Sequence, residues 1–234
     1  MFELDQSLYN LSRQFKLLQF IFKKLAKLLN KPEVSIYCLE YQEHIYICLG
    51  SPKAIEIAQN QIIIKDSMID TKKILKKFNI DLLIPSKYEY VMRRKNFIWL
   101  KSEIVSGNTS LIIYQIPLES IDTNNLVNDI VKVRDSIGRL YIHGSAYRTQ
   151  MITEKAYSPY FSKVKLAGNN AYETKGTWQM KNDFMSGPFI NYMIFDKTHN
   201  RILVLEGFTY APSKAKRDLM FELESIIKSL EIKK

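Results

Sequence analysis

The stretch FINYMIFDKTHNRILVLEGF, residues 189–208, contains two apolar runs separated by the polar residues 197–200. This pattern predicts a β-hairpin, and either a two-residue or a four-residue loop pairs Asp196 with Arg201. One face of the hairpin carries Phe189, Met193, Phe195, Ile202, Val204 and Phe208, and the other carries Ile190, Tyr192, Ile194, Leu203 and Leu205. Because both faces are apolar, both must be covered, and the sequence predicts helices on each side of the sheet.

The rest of the chain supplies the other elements. Further strands are predicted over residues 81–85, 97–101, 110–116 and 171–181. Helices are predicted from Asp70 or Thr71 to Asn79, from Asp122 or Thr123 to Ile137 with Gly138 as the C-terminal residue, and over residues 213–230. The predicted fold class is therefore α+β, an antiparallel sheet with helices on both faces and a C-terminal helix packed on the sheet.

The N-terminal segment has a different pattern. Residues 12–29 read as a basic amphipathic helix, with apolar residues at helical spacing and lysines on another face. Packing on the chain's own domain explains this stripe, and peripheral contact with an anionic membrane is the alternative. We therefore divide the chain into an N-terminal helical segment, residues 1–32, and one α+β domain, residues 33–234.

A hairpin centred on Glu43 would place Cys38 opposite Cys48.

The composition limits the partners and the compartment. The net charge of +10 favours polyanions, but only eight of the 34 basic residues are arginine, which argues against specific nucleic-acid recognition. No run of 18 apolar residues predicts a transmembrane segment, and an acidic start is not typical of a signal peptide. As written, the sequence predicts a cytoplasmic protein. The three histidines have no metal-binding or triad spacing, so we predict neither a metal nor a cofactor.

The hairpin register also creates one local conflict, because it places Asn191 opposite Glu206 on an apolar face. A buried carboxylate needs partners, and Asn191 can supply only some of them. Lys175 and Arg217 are the cations that we consider for the remainder. The pair is interpreted either as a satisfied structural contact or as part of a ligand or catalytic site.

Several segments resemble a bacterial family known only as a domain of unknown function, DUF4837, whose members are mostly predicted lipoproteins of the cell envelope. The similarity covers residues 74–228 and is carried by NDFMSGPF, ILVLEGFTYAP, KRDLMFELESI and AYETKGTW. The family pattern falls on Glu173, Lys175, Gly176, Trp178, Asp183, residues 185–189 and Glu206 to Phe208. Lys175 replaces the family's arginine and Ser186 its first glycine, so position 175 cannot make the bidentate contacts of a guanidinium.

The resemblance also bears on location and fold. Family members begin with an export signal and a lipid-accepting cysteine, which this sequence does not show at its start. It therefore represents either a shortened, retained version or a chain whose true start lies upstream, in which case the resemblance implies the cell envelope. The order of elements is similar to that of the PsbP-like fold.

Two functional interpretations follow. The first is a non-catalytic binding or structural protein, an envelope-associated accessory protein by resemblance, with an unidentified protein or small ligand as partner. The alternative is an enzyme or ligand site that uses the carboxylates of Glu173, Glu206 and Asp183. The candidate binding residues are Glu173, Lys175, Trp178, Asp183, Asn191, Glu206 and Tyr210.

Overall fold

The computed structural model describes residues 35–41, 44–50, 67–122 and 125–233. The chain divides into two units, residues 1–62 and 63–234. In the first unit, strands β1 (Ser35–Tyr41) and β2 (His44–Gly50) form a two-stranded antiparallel sheet. The helix predicted over residues 12–29 lies outside the described residues.

The register of this first hairpin differs from the prediction by one residue. Cys38 pairs with Ile47, and Cys48 pairs with Tyr37, so the two cysteines are not cross-strand partners. The reason is the position of the turn, because the innermost pair joins residue 41 to residue 44. A shift of one residue changes every cross-strand pair in a ribbon.

The second unit contains ten strands and three helices among its described residues. The strands are β3 (Ile80–Asp81), β4 (Glu89–Arg94), β5 (Phe97–Ile104), β6 (Gly107–Ile116), β7 (Gln150–Thr153), β8 (Tyr160–Leu166), β9 (Asn169–Lys181), β10 (Ser186–Asp196), β11 (Arg201–Tyr210) and β12 (Glu231–Ile232). The helices are α1 (Lys72–Phe78), α2 (Leu126–Tyr141) and α3 (Arg217–Lys228), with a 3-10 turn at Leu118–Ser120. In the described residues, no helix has both the length and the apolar character needed to cross a bilayer.

Eight of these strands form one antiparallel sheet in the order β4-β5-β6-β11-β10-β9-β7, and β8 also pairs with β9. The short strands β3 and β12 pair with each other. Strands β10 and β11 lie at the centre, in the predicted register of Asp196 with Arg201. The pair is also bonded through side chains, since Arg201 Nε lies 2.9 Å from Asp196 Oδ2.

Helices cover both faces of the central hairpin, as the sequence predicts. The face with Phe189, Met193 and Val204 packs in one core cluster with Ile130 of α2. The opposite face, with Ile194 and Leu203, packs in a second cluster with residues of α1 and of the C-terminal helix α3, namely Ile74, Phe78, Leu223, Ile226 and Ile227. The α+β class with a C-terminal helix on the sheet is confirmed.

Helix α2 extends beyond the predicted end. Gly138 lies inside the helix, which continues to Tyr141. A close approach explains the glycine better than a helix terminus, because a Cβ added at Gly138 would lie 2.1 Å from the backbone oxygen of Met151. Glycine at this position therefore allows α2 to contact strand β7 directly.

The edge strands β4 and β8 were not predicted, and the strand predicted over residues 81–85 is reduced to Ile80–Asp81. The sequence of β4, EYVMRR, is mostly exposed and lacks the clear apolar alternation of a covered strand. Leu82 and Ile84 are buried but do not belong to a strand. The apolar run therefore indicated correctly that these residues are buried, but not that they pair in a sheet.

Leu223→Ala should lower the free energy of unfolding by about 2–5 kcal/mol, as expected for a leucine truncated in a packed core. Leu223 is fully buried, and its Cβ would lie 2.8 Å from a Cβ added at Gly207, so α3 sits closely on strand β11. Urea denaturation of the variant measures the loss. Leu219→Ala, at a half-buried position of the same helix, is the control and should cost less. A loss below about 1 kcal/mol at Leu223 would show that the helix is not packed there.

Gly138→Ala tests the close contact between α2 and β7. Helix propensity alone would stabilise the protein by about 1 kcal/mol. Since the new methyl group meets backbone atoms of Met151, we expect a net loss of about 1–3 kcal/mol instead. Thermal denaturation beside the parent protein decides between the two, and a raised melting temperature would contradict the contact.

Candidate functional site

A buried ion pair joins helix α2 to the central hairpin. Arg134 follows Ile130 by one helical turn, so it points to the covered face of the sheet together with that apolar residue. Its Nη2 lies 2.9 Å from Oε1 of Glu206, and the two side chains are 2% and 0% exposed. Asn191 donates from Nδ2 to Oε2 of the same carboxylate at 2.8 Å. The predicted contact between Asn191 and Glu206 is therefore present.

The guanidinium of Arg134 makes further contacts that hold it in place. Its Nη1 donates to Thr153 Oγ1 at 2.9 Å, and Thr153 Oγ1 donates to Asp135 Oδ1 at 2.7 Å. The guanidinium carbon lies 3.7 Å from the centre of the Phe189 ring, a cation–π contact. A polar network thus connects α2, β7, β10 and β11 within an otherwise apolar core.

Burial also shifts the acidity of the groups in this network. Burial raises the pKa of Glu206 above its ordinary value, while the Arg134 guanidinium and the Asn191 amide act in the opposite direction. Burial, followed by the nearby Glu206 carboxylate, raises the pKa of the Tyr114 hydroxyl. The carboxylate is therefore stable inside the core only because a cation and an amide contact it.

Neither of the cations proposed from the sequence contacts Glu206. Lys175 is 42% exposed and pairs with Glu173 at 3.3 Å and with Glu224 at 3.5 Å. Arg217 lies at the exposed start of α3, where its Nε is 3.7 Å from Asp218. The sequence does contain the missed signal, because Arg134 interrupts the apolar stripe of α2.

Glu173 belongs to a second polar cluster, on the opposite face of the sheet. Its partner across the strands is Tyr192, whose hydroxyl donates to the Glu173 carboxylate and lies 3.5 Å from Glu224 Oε1. Burial, and then the charges of Glu224 and Glu173, raise the pKa of Tyr192. Lys228 pairs with Glu224 at 2.9 Å, so cations and a hydroxyl balance both carboxylates.

The structure does not bring Glu173 and Glu206 together. The residue beside Glu206 on β10 is Asn191, whose neighbour on β9 is Thr174, whereas Glu173 faces Tyr192. Successive residues of a strand point to opposite faces, so the two carboxylates are separated by the sheet. Asp183 lies in the turn between β9 and β10, where its Oδ1 accepts a hydrogen bond from the Phe184 backbone at 2.8 Å.

Trp178 and Tyr210 do lie together, at the end of the sheet near that turn. Trp178 is buried and donates from Nε1 to the Thr209 carbonyl at 3.2 Å. Its ring contacts Phe208 edge to face at 5.8 Å and lies 6.5 Å from the ring of the half-buried Tyr210. The predicted site residues therefore fall into three groups, which are Asn191 with Glu206, Glu173 with Lys175, and Trp178 with Tyr210 near Asp183.

Two loops at this same end expose large aromatic side chains that the sequence analysis did not identify. Tyr147, in the loop between α2 and β7, is 82% exposed, and Phe184, in the turn between β9 and β10, is fully exposed. Asn182 Nδ2 donates to the Arg148 carbonyl at 3.2 Å and so connects the two loops. The first loop borders an open pocket with a volume of about 640 Å³, which is lined by residues 143–150. We refer to residues 143–149 and 182–185 as the aromatic loops.

Over residues 67–122 and 125–233, no three histidine, cysteine, aspartate or glutamate side chains are grouped so that they could hold a metal ion. The described clusters are instead balanced by lysine, arginine and hydroxyl groups. The fold and these clusters define an α+β protein whose central antiparallel sheet is held between helices and tied to one of them by a buried ion pair.

The chain belongs to the family Domain of unknown function (DUF4837), whose sequence profile matches residues 67–229. This confirms the resemblance and includes α1, α2, α3 and the whole eight-stranded sheet. No curated protein matches the sequence significantly.

Solved structures that match the chain include the Ran-binding protein Mog1p of Saccharomyces cerevisiae, with 9% identity, coverage of 66% of this chain and 90% of that chain, and a TM-score of 0.44. Another is LpqN, involved in cell envelope biogenesis of Mycobacterium tuberculosis, with 12% identity, coverage of 66% and 83%, and a TM-score of 0.39. Identities and TM-scores this low establish no shared function.

Glu206→Gln should destabilise the protein by about 3–5 kcal/mol, because it leaves the buried guanidinium of Arg134 without a counter-charge. Glu173→Gln is the matched control, since Glu173 lies on the other face and is more exposed, and it should cost less. Thermal and urea denaturation measure both variants. An equal or raised melting temperature for Glu206→Gln would show that the buried carboxylate lowers the stability of the fold. It would then be interpreted as part of a ligand site rather than as a structural contact.

Proposed function

We propose that the protein is a non-catalytic accessory protein of the cell envelope, which binds a partner protein through its aromatic loops. The family resemblance to predicted envelope lipoproteins supports the location. The exposed aromatic side chains support the mode of action, because a monomeric domain keeps such groups in water at a cost unless a partner covers them.

The observation that carries the proposal is the exposure of Tyr147 and Phe184 on two connected loops. Tyrosine, phenylalanine and arginine are enriched at the centres of protein interfaces. Arg148 also belongs to this surface, and its guanidinium carbon lies 5.1 Å from the Tyr147 ring centre. Asp183 supplies a carboxylate next to Phe184 in the same turn.

The buried residues that the sequence predicted as site residues hold the elements from which the aromatic loops extend. Asn191, Glu206 and Arg134 attach α2 to the sheet, and α2 ends at Tyr141, shortly before the loop that carries Tyr147. Trp178 packs against Tyr210 at the same end of the sheet. A rigid scaffold under exposed loops reduces the entropy lost on binding.

The carboxylate-based alternative receives less support from the geometry. Glu206 is enclosed in the core with Arg134, Glu173 lies on the other face, and Asp183 caps its own turn. General acid–base catalysis needs its two groups within reach of one substrate. Three separate positions do not meet that requirement.

Site-specific photo-crosslinking in the native host tests the proposal. A photoreactive phenylalanine analogue at position 184 should give one discrete crosslinked product, with a protein of the envelope fraction. The same analogue at Val91, a half-exposed position on the edge strand β4, is the control and should not give it. Tyr147→Ser should weaken the product at position 184 without changing the melting temperature, because the Tyr147 side chain is 82% exposed.

Two results would contradict the proposal. The first is equal crosslinking at Val91 and position 184, which would indicate random collision. The second is an undiminished product in the Tyr147→Ser background, which would show that the two loops do not act as one surface.

A further inference from the structure

A basic groove lies between helix α1 and the turn that joins β4 to β5. It has a volume of 650 Å³, within the usual range for small-molecule sites. Its cations are Lys73, Lys76, Lys77, Arg93 and Lys95. The uncharged residues Asn96, Ile98 and Gln115 complete the lining. None of the lining residues is acidic.

Half of the other lysines and arginines among the described residues pair with a carboxylate. Lys87 pairs with Glu222 at 2.6 Å, and Lys228 pairs with Glu224 at 2.9 Å. By contrast, within residues 67–122 and 125–233, none of the five groove cations has a carboxylate oxygen within 4.0 Å. Five like charges around one concave surface produce a positive potential that attracts anions.

Local contacts already hold part of the groove in position. Lys77 donates from Nζ to the Arg94 carbonyl at 2.6 Å and to the Lys95 carbonyl at 3.2 Å, which fixes its ammonium beside the turn. The ammonium of Lys73 lies 5.2 Å from the centre of the Tyr90 ring. Side chains that are ordered before binding lose less entropy when a ligand arrives.

The groove continues into a second concavity of 440 Å³ near the β10–β11 turn. The two share Lys77, Asn96 and Gln115, and the second adds Arg201 and the acidic Glu119. Arg201 is already bonded to Asp196 and to Gln115 Oε1, the latter at 2.7 Å. Its guanidinium is therefore not available to bind an anion in the groove. The available positive charge is therefore concentrated along α1 and the β4–β5 turn.

We propose that this groove binds an anion that carries two or more phosphate groups. Four of its five cations are lysines, which act toward phosphate as compact point charges with rotatable donors. Cations spread along a groove match an extended row of phosphates better than a single carboxylate. The phosphates could come from a free oligophosphate or from the headgroups of a membrane, since the recognising chemistry is the same.

Isothermal titration with inorganic tripolyphosphate at low ionic strength tests the proposal on the full chain. The parent protein should bind, and binding should weaken as salt is added. Lys73→Gln combined with Lys76→Gln should weaken binding at least about tenfold, because two phosphate contacts are lost. Both lysines are exposed, so the melting temperature should not change.

Lys163→Gln combined with Lys165→Gln is the matched control. These two exposed lysines lie on strand β8, outside the groove lining, and the substitution changes the net charge by the same amount. Tripolyphosphate should bind this variant as it binds the parent. Equal weakening in both double variants would attribute the binding to net charge and overturn the proposal, as would an absence of binding to the parent.

Sedimentation with phosphatidylglycerol vesicles identifies the source of the phosphates. Vesicle binding that depends on Lys73 and Lys76 and is displaced by tripolyphosphate would assign the groove to headgroups. Tripolyphosphate binding without vesicle binding would assign it to a free oligophosphate. Tight binding of duplex DNA that both double variants weaken equally would show a nonspecific polyanion surface and contradict a groove ligand.

The groove test is independent of the aromatic loops. The two surfaces share no residue, and the crosslinking position is not altered in either lysine variant. A failure of tripolyphosphate binding would therefore leave the proposed protein partner untouched, and the reverse also holds.

Discussion

The burial of the β10–β11 hairpin on both of its faces is the constraint on which the rest of the structure depends. Both of these strands lie inside the sheet, and their side chains alternate between two separate core clusters. An antiparallel ribbon of this kind cannot leave one face in water, so helices must be present on both sides. Helices α1 and α3 meet this requirement on one face, and α2 meets it on the other.

The ion pair between Arg134 and Glu206 adds specificity to this arrangement. Apolar contacts alone would allow α2 to slide along the sheet, because they have little directional preference. A buried guanidinium bonded to Glu206 and Thr153 and stacked on Phe189 defines one position of the helix. A hydrophobic pair of similar size could stabilise the core as well, so we interpret the polar pair as a device that fixes helix position.

The antiparallel connections also separate the two surfaces for which we propose binding. The β9–β10 turn carries Phe184, whereas the turns β4–β5 and β10–β11 lie at the opposite end of the sheet. The aromatic loops therefore lie at one end of the sheet and the groove cations at the other. This separation would allow one domain to contact a protein partner and a phosphate-bearing anion at the same time.

The sequence by itself determined the central hairpin, its register, the contact of Asn191 with Glu206 and the α+β class, because apolar strand runs and the turn residues between them are local signals. Only the tertiary structure decided that Arg134 is the partner of Glu206, that Glu173 lies across the sheet, and that α2 continues past Gly138. It also brought the two aromatic loops together and placed α1 beside the β4–β5 turn. These features depend on which elements become neighbours, and spacing along the chain does not encode distances between elements that pack from remote positions.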